Sequence, residues 1–260
     1  MMQMKKEFSV SIDSEKCTGC GLCISDCQRR DLKIENNKAV PLNNACFLCG
    51  HCVAICPENA VILNGLNDEP CEIPTGPPFL DEKSLMAHLR FRRSIRHYKN
   101  TPVEKDKLEK IIEAGRLTPT ASNMQNVRYM VIQNGINEIE DTVIAQYKNP
   151  VGFSSVYSFP PDRFKRGFLF YDAPAIILVI SPREINACLA AANMELMAEA
   201  LGLGVVYVGL FTAPANVNRE LRASLGIAEG ENIFACLALG YPAVTYKRSA
   251  PRKTANVIWR

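Results

Sequence analysis

The sequence predicts an α+β protein of two domains joined by a short linker, and three observations lead to this prediction. Eight cysteines before residue 57 fall into two runs of one spacing, which defines a small N-terminal domain of residues 1–65. Proline and glycine are frequent over 66–80, a composition typical of a linker. Residues 81–260 mix helical and strand periodicities without a regular strand–helix–strand alternation, which favours α+β over a doubly wound sheet.

Both cysteine runs follow the spacing C-x2-C-x2-C-x3-C, and Pro57 follows the second. This is the bacterial iron–sulfur pattern, in which each run gives three thiolates to one [4Fe–4S] cluster and its fourth to the other. Two-residue gaps let the chain curl around a cluster, and soft thiolates suit iron and sulfide. The sequence therefore predicts two clusters, one held by Cys17, Cys20, Cys23 and Cys56, the other by Cys46, Cys49, Cys52 and Cys27.

Structural zinc and disulfides are the alternatives for so many cysteines. Zinc sites use two separated C-x2-C pairs or one pair with histidines, and disulfides need an oxidising compartment, so neither matches this spacing. His51 is either a hydrogen-bond donor to a cluster sulfur or an exposed loop residue. Cys71 fits neither run and is expected to be a free thiol, whereas Cys188 and Cys236 are expected to be inert core thiols.

The N-terminal domain resembles a two-cluster ferredoxin over about residues 8–64. The matching segments are Cys17-Thr-Gly-Cys-Gly-Leu-Cys and Cys52-Val-Ala-Ile-Cys-Pro-Glu-Asn-Ala-Val. Gln28 departs from the family, which usually has proline after the fourth cysteine of the run.

Composition limits the other possibilities. The chain has 260 residues, of which 47% are hydrophobic, so the larger domain can bury a full core. A net charge of +3 gives no field that argues for nucleic acid or an anionic membrane as partner. The basic N-terminus has no apolar stretch behind it, and the strongly apolar run 173–180 is too short to span a bilayer. We therefore expect a cytoplasmic protein without nucleic-acid or membrane partners.

After the linker the expected elements follow one another closely. Asp81 predicts the start of a helix with Leu85, Met86 and Leu89 on one face. The sequence Thr101-Pro-Val-Glu104 reads as a capping box with proline at the first helical position, and Gly115 as the end of that helix. Further strands are expected at 128–133, 175–181, 204–211 and 233–239, and further helices at 186–201 and 216–225.

An aromatic-rich segment spans residues 147–171. It holds Tyr147, Phe153, Tyr157, Phe159, Phe164, Phe168, Phe170 and Tyr171. Two interpretations are open, a lid over a flat ligand or an insertion with its own small core.

Two basic groups and a polar loop suggest a cofactor site. Arg92, Arg93 and Arg96, with the hydroxyl of Ser94, can clamp a phosphate through charge-assisted hydrogen bonds. The polar loop 118–125 offers amide groups that suit the polar edge of a flavin ring, and a second basic group follows at 247–253. Each signal alone is also explained by a solvated surface.

Together and in this order, the signals resemble the FMN-dependent nitroreductase family over about residues 80–260. The matching segments are Arg92-Arg-Ser-Ile-Arg96, Pro119-Thr-Ala-Ser-Asn-Met-Gln125, Leu201-Gly-Leu-Gly204, Leu239-Gly-Tyr-Pro242 and Pro251-Arg-Lys253. Asn126-Val127 departs from the family, which commonly has proline and a bulky aromatic there. The resemblance implies an α+β sandwich that forms an intertwined homodimer with FMN at the subunit interface.

The resemblance also assigns roles to particular residues. It places the phosphate and ribityl chain on the basic residues with Ser94, the polar loop at the isoalloxazine, and Val208 and Gly209 against the ring. The full set of cofactor candidates is Arg92, Arg93, Ser94, Arg96, Pro119, Thr120, Ser122, Asn123, Gln125, Val208, Gly209, Arg252 and Lys253. FMN itself carries the chemistry, so no protein side chain is expected as the catalytic group.

The predicted function is electron transfer from the two [4Fe–4S] clusters to FMN and on to a planar, electron-poor acceptor such as a nitroaromatic or a quinone. The external donor is a ferredoxin, a flavodoxin or NAD(P)H. Two alternatives are open: an electron carrier or redox sensor that serves a partner protein, and a flavin enzyme of another type, such as a reductive dehalogenase, on the same fold.

Overall fold

The computed structural model describes residues 8–66, 71–76, 80–148 and 160–260. The chain divides into two compact units, Met1–Phe79 with Ala121–Met124, and Leu80–Thr120 with Gln125–Arg260. Among the predicted features, Pro70, Pro77 and Pro78 of the linker and three aromatics of the 147–171 segment lie outside the described residues. These aromatics are Phe153, Tyr157 and Phe159.

The first unit is built from two similar halves. Its elements are β1 (Ser9–Ile12), α1 (Leu22–Ser25), β2 (Leu32–Glu35), β3 (Lys38–Pro41), α2 (His51–Ala54) and β4 (Val61–Asn64). Strands β1 and β4 pair antiparallel, as do β2 and β3 through a tight turn at Asn36 and Asn37, both in the left-handed region. Helices α1 and α2 each follow a glycine with φ of 76° and 73°, Gly21 and Gly50, so the repeat in sequence is a repeat in structure.

The second unit is a four-stranded antiparallel sheet between two layers of helices. Its strands are β5 (Arg128–Ile132), β6 (Ala175–Ser181), β7 (Gly204–Tyr207) and β8 (Asn232–Gly240), in the order β5-β6-β8-β7. Its helices are α3 (Glu82–Phe91), α4 (Lys105–Arg116), α5 (Ile136–Lys148), α6 (Glu184–Ala200), α7 (Gly209–Val217) and α8 (Arg219–Ser224). The antiparallel sheet confirms the predicted α+β class.

The side chains of strand β6 contribute to two cores, one on each face of the sheet. Alternate side chains of a strand point to opposite faces. Ile176 and Leu178 belong to the core shared with α5, α7 and α8, whereas Ile177 and Val179 belong to the core shared with α4 and α6. All residues of β6 are buried, which is why its sequence is continuously apolar rather than alternating.

The described aromatics of the 147–171 segment join the first of these cores. Phe164 and Phe170 are buried, and the Tyr147 ring stacks on Phe164 with centroids 5.2 Å apart. The buried carboxylate of Glu140 fixes the following loop, because it accepts hydrogen bonds from the backbone N–H groups of Gly167, Leu169 and Phe170. These contacts favour packing over a lid for the part of the segment that the structure describes.

Two helix-end predictions differ from the structure, at the start of α4 and, by one residue, at its end. Thr101 does not cap α4, which begins at Lys105, because the Glu104 carboxylate that a capping box requires accepts hydrogen bonds from the Tyr241 hydroxyl instead. Gly115 does not end this helix but lies inside it. A Cβ there would be 2.9 Å from Met194 Sδ, so the glycine permits close packing of α4 on α6.

Two further boundaries differ from prediction, and two helices of the second unit, α5 and α7, were missed. The strand expected over 204–211 ends at Tyr207, because α7 starts at Gly209. The helix expected over 216–225 is interrupted at Asn218, whose side chain caps α8 by accepting from Leu221 N at 2.9 Å. Helix α5 was not predicted, since its charged residues are dispersed among its apolar positions. No described helix is long and apolar enough to cross a bilayer.

Candidate functional site

The eight cysteines of the two runs surround two separate cavities in the first unit. We call the four cysteines around one cavity a ring. In each ring, three thiols come from one run and the fourth from the other run. The first cavity is lined by Cys17, Cys20, Cys23 and Cys56, and the second by Cys27, Cys46, Cys49 and Cys52. The crossing arises because the two halves of the unit face each other, so the end of each run reaches the cavity of its counterpart.

Backbone N–H groups point at two sulfurs of each ring. In the first ring, Ala39 N lies 3.4 Å from Cys17 Sγ and Ala60 N lies 3.3 Å from Cys56 Sγ. In the second ring, Asp31 N lies 3.4 Å from Cys27 Sγ and Leu48 N lies 3.3 Å from Cys46 Sγ. Such N–H···S contacts favour the thiolate and tune the reduction potential of a bound cluster.

The thiols differ in how readily they ionise without iron. Hydrogen bonding from the backbone of Ala39 lowers the pKa of Cys17. Burial raises the pKa of Cys23 and Cys46, and it raises that of Cys52 to about 11. Since only thiolates bind iron, cluster assembly must displace these protons.

The surroundings of the cavities fit a cluster. The ring cysteines form no disulfides, and across the described residues no three His, Cys, Asp or Glu side chains converge to suit a single metal ion. His51 is exposed and lines the second cavity beside Cys49 and Cys52. Each cavity therefore offers four soft ligands around a space, which is the donor set that a [4Fe–4S] cluster uses.

In the second unit, the basic segment 92–96 is anchored by its middle residue. Ile95 N donates to Val205 O at 3.0 Å, and the Ile95 side chain covers Gly204. A Cβ on that glycine would be 2.3 Å from Ile95 Cγ1, so the close approach requires glycine. The neighbouring Ser94 is half-buried and Arg96 is exposed, with its guanidinium carbon 5.7 Å from the centroid of the Tyr171 ring.

Arg92 takes part in a cluster of ionisable groups that the sequence did not reveal. Its Nη1 lies 2.6 Å from Oε1 of Glu195, a residue of α6 that is only 5% exposed. One turn further along α6, Glu199 Oε2 lies 3.7 Å from Nε2 of His88 on α3. Burial raises the pKa of Glu195, and burial together with the Glu195 charge raises the pKa of Glu199 to about 7. The available sequence signal was a pair of glutamates four residues apart in an otherwise apolar helix.

The polar loop has an unusual backbone. Ser122, Asn123 and Gln125 all have positive φ, between 46° and 52°, and Thr120 Oγ1 accepts a hydrogen bond from Gln125 N at 2.9 Å. Pro119 is exposed. Ser122 and Asn123 are grouped with the first unit, where Asn123 Nδ2 donates to the carbonyls of Phe47 and Leu48. The other cofactor candidates belong to the second unit.

The start of α7 and the C-terminal segment hold the remaining candidates. Val208 is buried at the N-terminus of α7, and a Cβ added to Gly209 would meet no atom within 4 Å. Space for a side chain is therefore open beside Gly209, and the helix terminus attracts negative charge. Arg252 and Lys253 are exposed in a tail without regular structure. The positive charges of the basic segment are the chemical groups that suit a phosphate.

Sequence comparison identifies both units. The nitroreductase family profile matches residues 89–241, and that of the 4Fe-4S dicluster domain matches residues 9–57. A protein of Archaeoglobus fulgidus, "Putative NADH dehydrogenase/NAD(P)H nitroreductase", is 27% identical over 161 residues, 58% of this chain and 81% of that protein. Iodotyrosine deiodinase of Hydra vulgaris is 24% identical over 202 residues, 66% of this chain and 72% of that protein.

Solved structures share the fold of the second unit. A Bacteroides fragilis nitroreductase with bound FMN superposes with a TM-score of 0.58 at 22% identity, covering 69% of this chain and all of that one. A Desulfitobacterium hafniense nitroreductase with bound FMN gives 0.55 at 21% identity, with the same coverage. The sandwich predicted from sequence is thereby confirmed, as is the small iron–sulfur domain in front of it.

Proposed function

This chain belongs to the nitroreductase family of oxidoreductases, and we propose that it takes up electrons in its iron–sulfur unit and delivers them, with FMN, to a planar, electron-poor acceptor. One observation carries the proposal: two rings of four thiols precede a nitroreductase fold on the same chain. Acceptors of the proposed class are nitroaromatics, quinones and similar compounds.

In this proposal the first ring and the second ring each bind one [4Fe–4S] cluster. The ring cysteines act as ligands, and the backbone N–H groups that point at their sulfurs stabilise the extra negative charge of the reduced cluster. The duplicated geometry supports two clusters of similar ligation.

The proposed FMN site is built on four parts of the chain. When bound, FMN supplies the conversion between one-electron and two-electron transfer. Arg92, Arg93, Ser94 and Arg96, with Arg252 and Lys253, hold the phosphate and ribityl chain through charge-assisted hydrogen bonds. Pro119, Thr120, Ser122, Asn123 and Gln125 form the polar edge of the ring site, and Val208 and Gly209 lie against the ring.

The proposal includes a homodimer, as the family resemblance implies. Exposed apolar side chains on α3 and α6 support it, among them Met86, Phe91, Ile185 and Leu189. Helix α6 buries one face within its own unit, whereas Ile185 and Leu189 on the same helix are exposed. The buried residues are Ala187, Ala190, Ala191, Met194 and Ala198. An apolar face of this kind is typical of an interface between subunits.

The proposed setting is the cytoplasm, where reducing conditions preserve free thiols. The electron donor is a ferredoxin, a flavodoxin or NAD(P)H. A comparison of these three donors by anaerobic stopped-flow spectroscopy distinguishes them, because the donor that serves this protein is expected to reduce the bound flavin fastest.

Iron, sulfide and FMN contents per chain, measured after anaerobic purification, test the proposal. Two clusters and one flavin require about eight irons, about eight sulfides and one FMN. Saturable oxidation of the reduced protein by a nitroaromatic or a quinone then establishes turnover. Iron without flavin rejects the proposed oxidoreductase in favour of an electron carrier or a redox sensor.

A second candidate is reductive dehalogenation. The similarity to iodotyrosine deiodinase, which extends over 66% of this chain, favours it. Halide release from a halogenated phenol, measured with an ion-selective electrode after anaerobic reduction, separates this candidate from reduction of nitro groups or quinones. Halide release that requires reduced protein and equals substrate loss would support dehalogenation, and its absence would exclude it for that substrate.

A further inference from the structure

The cluster of ionisable groups around Arg92 adds a property to the proposed FMN site. Arg92 is the first residue after α3, and its guanidinium already contacts a buried carboxylate, Glu195. A guanidinium has five N–H donors, so it can hold Glu195 on one edge and a phosphate on another. Any phosphate bound by Arg92 therefore brings its negative charge close to Glu195.

Glu195 and Glu199 form a carboxyl pair in the interior of the second unit. They lie one turn apart on the same face of α6, and the charge of each opposes ionisation of the other. The groups that face them are His88 from α3, Arg92 directly after it, and Tyr207 from β7, whose hydroxyl opposes the rise in the pKa of Glu195. Only Arg92 among these is a permanent cation, so the pair has one fixed positive charge for two carboxyl groups.

His88 lies between the pair and the surface of the second unit. Its Nε2 is buried, 3.7 Å from Glu199, which is too long for a direct hydrogen bond, and it has no hydrogen-bond partner among the described residues. The side chain as a whole is 30% exposed and lines an apolar groove between α3, α4 and α6. The carboxyl pair is therefore one side chain away from solvent.

We propose that the Glu195–Glu199 pair takes up a proton when the FMN phosphate binds at Arg92. This inference rests on the proposed assignment of Arg92 to the phosphate. The phosphate brings up to two negative charges to an arginine that balances one carboxylate, so the second carboxyl group becomes harder to keep ionised. Binding and protonation are then linked, and each favours the other.

The affinity for FMN is expected to fall as pH rises. In the cofactor-free protein the pair loses a proton near neutral pH, because burial raises the pKa of Glu199 to about 7. The bound phosphate raises that pKa further, so the dissociation constant for FMN increases as pH rises above about 7. Linkage of one proton limits the slope to about tenfold per pH unit. The second ionisation of a phosphate monoester, with a pKa near 6, is almost complete in this range.

Isothermal titration calorimetry tests the proposal on protein that retains its clusters and has been depleted of flavin. FMN is titrated at pH 7.5 in buffers of different ionisation enthalpy, which gives the number of protons taken up per FMN bound. Riboflavin, which lacks the phosphate, is the matched ligand. Glu199→Gln keeps the shape of the side chain and removes its titration, and Glu184→Gln on the exposed first turn of α6 is the matched control variant.

We expect proton uptake with FMN but not with riboflavin, its loss in Glu199→Gln and its persistence in Glu184→Gln. Tight FMN binding that depends on Arg92 but takes up no proton would overturn this inference and leave the proposed cofactor site standing. FMN and riboflavin binding with equal affinity, or FMN binding unaffected by Arg92→Ala, would reject the phosphate site and the inference with it.

Discussion

At the scale of single residues, the two units differ in how the surrounding groups act on their buried ionisable side chains. In the first unit, burial raises the pKa of Cys23, Cys46 and Cys52, whereas the backbone N–H of Ala39 lowers the pKa of Cys17 and so favours its thiolate. In the second unit the buried charge of Glu195 is matched by Arg92 across 103 residues of sequence. Removing one partner of a buried ion pair leaves the charge of the other without compensation. Substitution of either residue is therefore expected to destabilise the unit.

Arg92→Ala is expected to weaken FMN binding and leave the absorbance of the clusters intact. Loss of charge-assisted hydrogen bonds costs about 1.5–3 kcal/mol, roughly a ten- to hundredfold increase in Kd. Fluorescence titration of flavin into the depleted protein measures this change. Arg90→Ala, which replaces an exposed arginine in the last turn of α3, is the control and should keep the wild-type affinity. Equal affinity of the Arg92 variant would contradict the phosphate assignment.

Cys20→Ala is expected to remove one of two clusters, since it takes one ligand from the first ring. Iron content should fall from about eight to about four per chain, and reduction of the flavin by a one-electron donor should slow. Cys188→Ala should retain full iron, because Cys188 belongs to neither ring. Cys188 is exposed on α6, so the prediction of a core thiol is wrong at this position. An unchanged rate of flavin reduction in Cys20→Ala would refute a path through the first ring.

At the scale of elements, the sequence predicted those parts whose cause is local. Asp81 caps α3 through a hydrogen bond from Ser84 N at 2.8 Å, as its position suggested, and the continuous apolar run of β6 became the buried central strand. The failures arise from distant contacts. The carboxylate of Glu104 is held by Tyr241, 137 residues away, and no local pattern carries that information.

The start of α7 illustrates the same limit at the proposed site. Residues 204–211 are apolar and β-branched enough to predict one strand, yet only Gly204–Tyr207 pairs with β8. Val208 N still donates to Cys236 O, after which the chain turns into a helix whose Phe211 fills the core. The cysteine rings could be predicted in full because spacing alone encodes them, whereas Glu195 and Glu199 depended on the packing of α3 against α6.

Gly204→Ala should destabilise the second unit and displace the basic segment. The new Cβ would lie 2.3 Å from Ile95 Cγ1 and 2.7 Å from Ile95 Cβ, so β7 and residues 92–96 must separate. Overpacking of this kind costs about 1–3 kcal/mol. Chemical denaturation followed by circular dichroism measures the loss. Gly76→Ala, where a Cβ meets nothing within 4 Å, is the control, and equal stability of the two variants would disprove the steric argument.

At the scale of the whole molecule, the two units differ in what stabilises them. Among the described residues of the first unit, the core includes five buried apolar residues besides three ring cysteines, namely Val10, Leu32, Ala39, Ala60 and Val61. The second unit has two cores on either side of a sheet. Small domains with little apolar core depend on bound metal for their stability.

Removal of iron with a chelator under reducing conditions should therefore unfold the first unit and leave the second folded. Hydrogen exchange read by mass spectrometry should show protection lost over residues 8–66 and retained over β6 and β8. Protein incubated without chelator controls for spontaneous opening. Retained protection of 8–66 after complete iron loss would show that the apolar core suffices.

The chain carries one tryptophan, Trp259, which is 90% exposed. If the proposed homodimer covers the tail, dilution to monomer should shift its fluorescence emission to longer wavelength, in step with the mass measured by sedimentation. A Trp259→Phe variant, which loses this emission, identifies the source of the signal. An emission spectrum that stays constant while the mass halves would place the tail outside the interface.

Because each ring takes its fourth thiol from the other run, the order of synthesis determines when a ring is complete. A ribosome makes the protein from its N-terminus, and the first run alone never supplies four thiols to one cavity. The second ring has all its thiols only once Cys52 has been made, and the first only once Cys56 has been made. A fragment that ends before Cys52 therefore lacks at least one thiol of each ring, and we expect it to bind no cluster with four cysteine ligands.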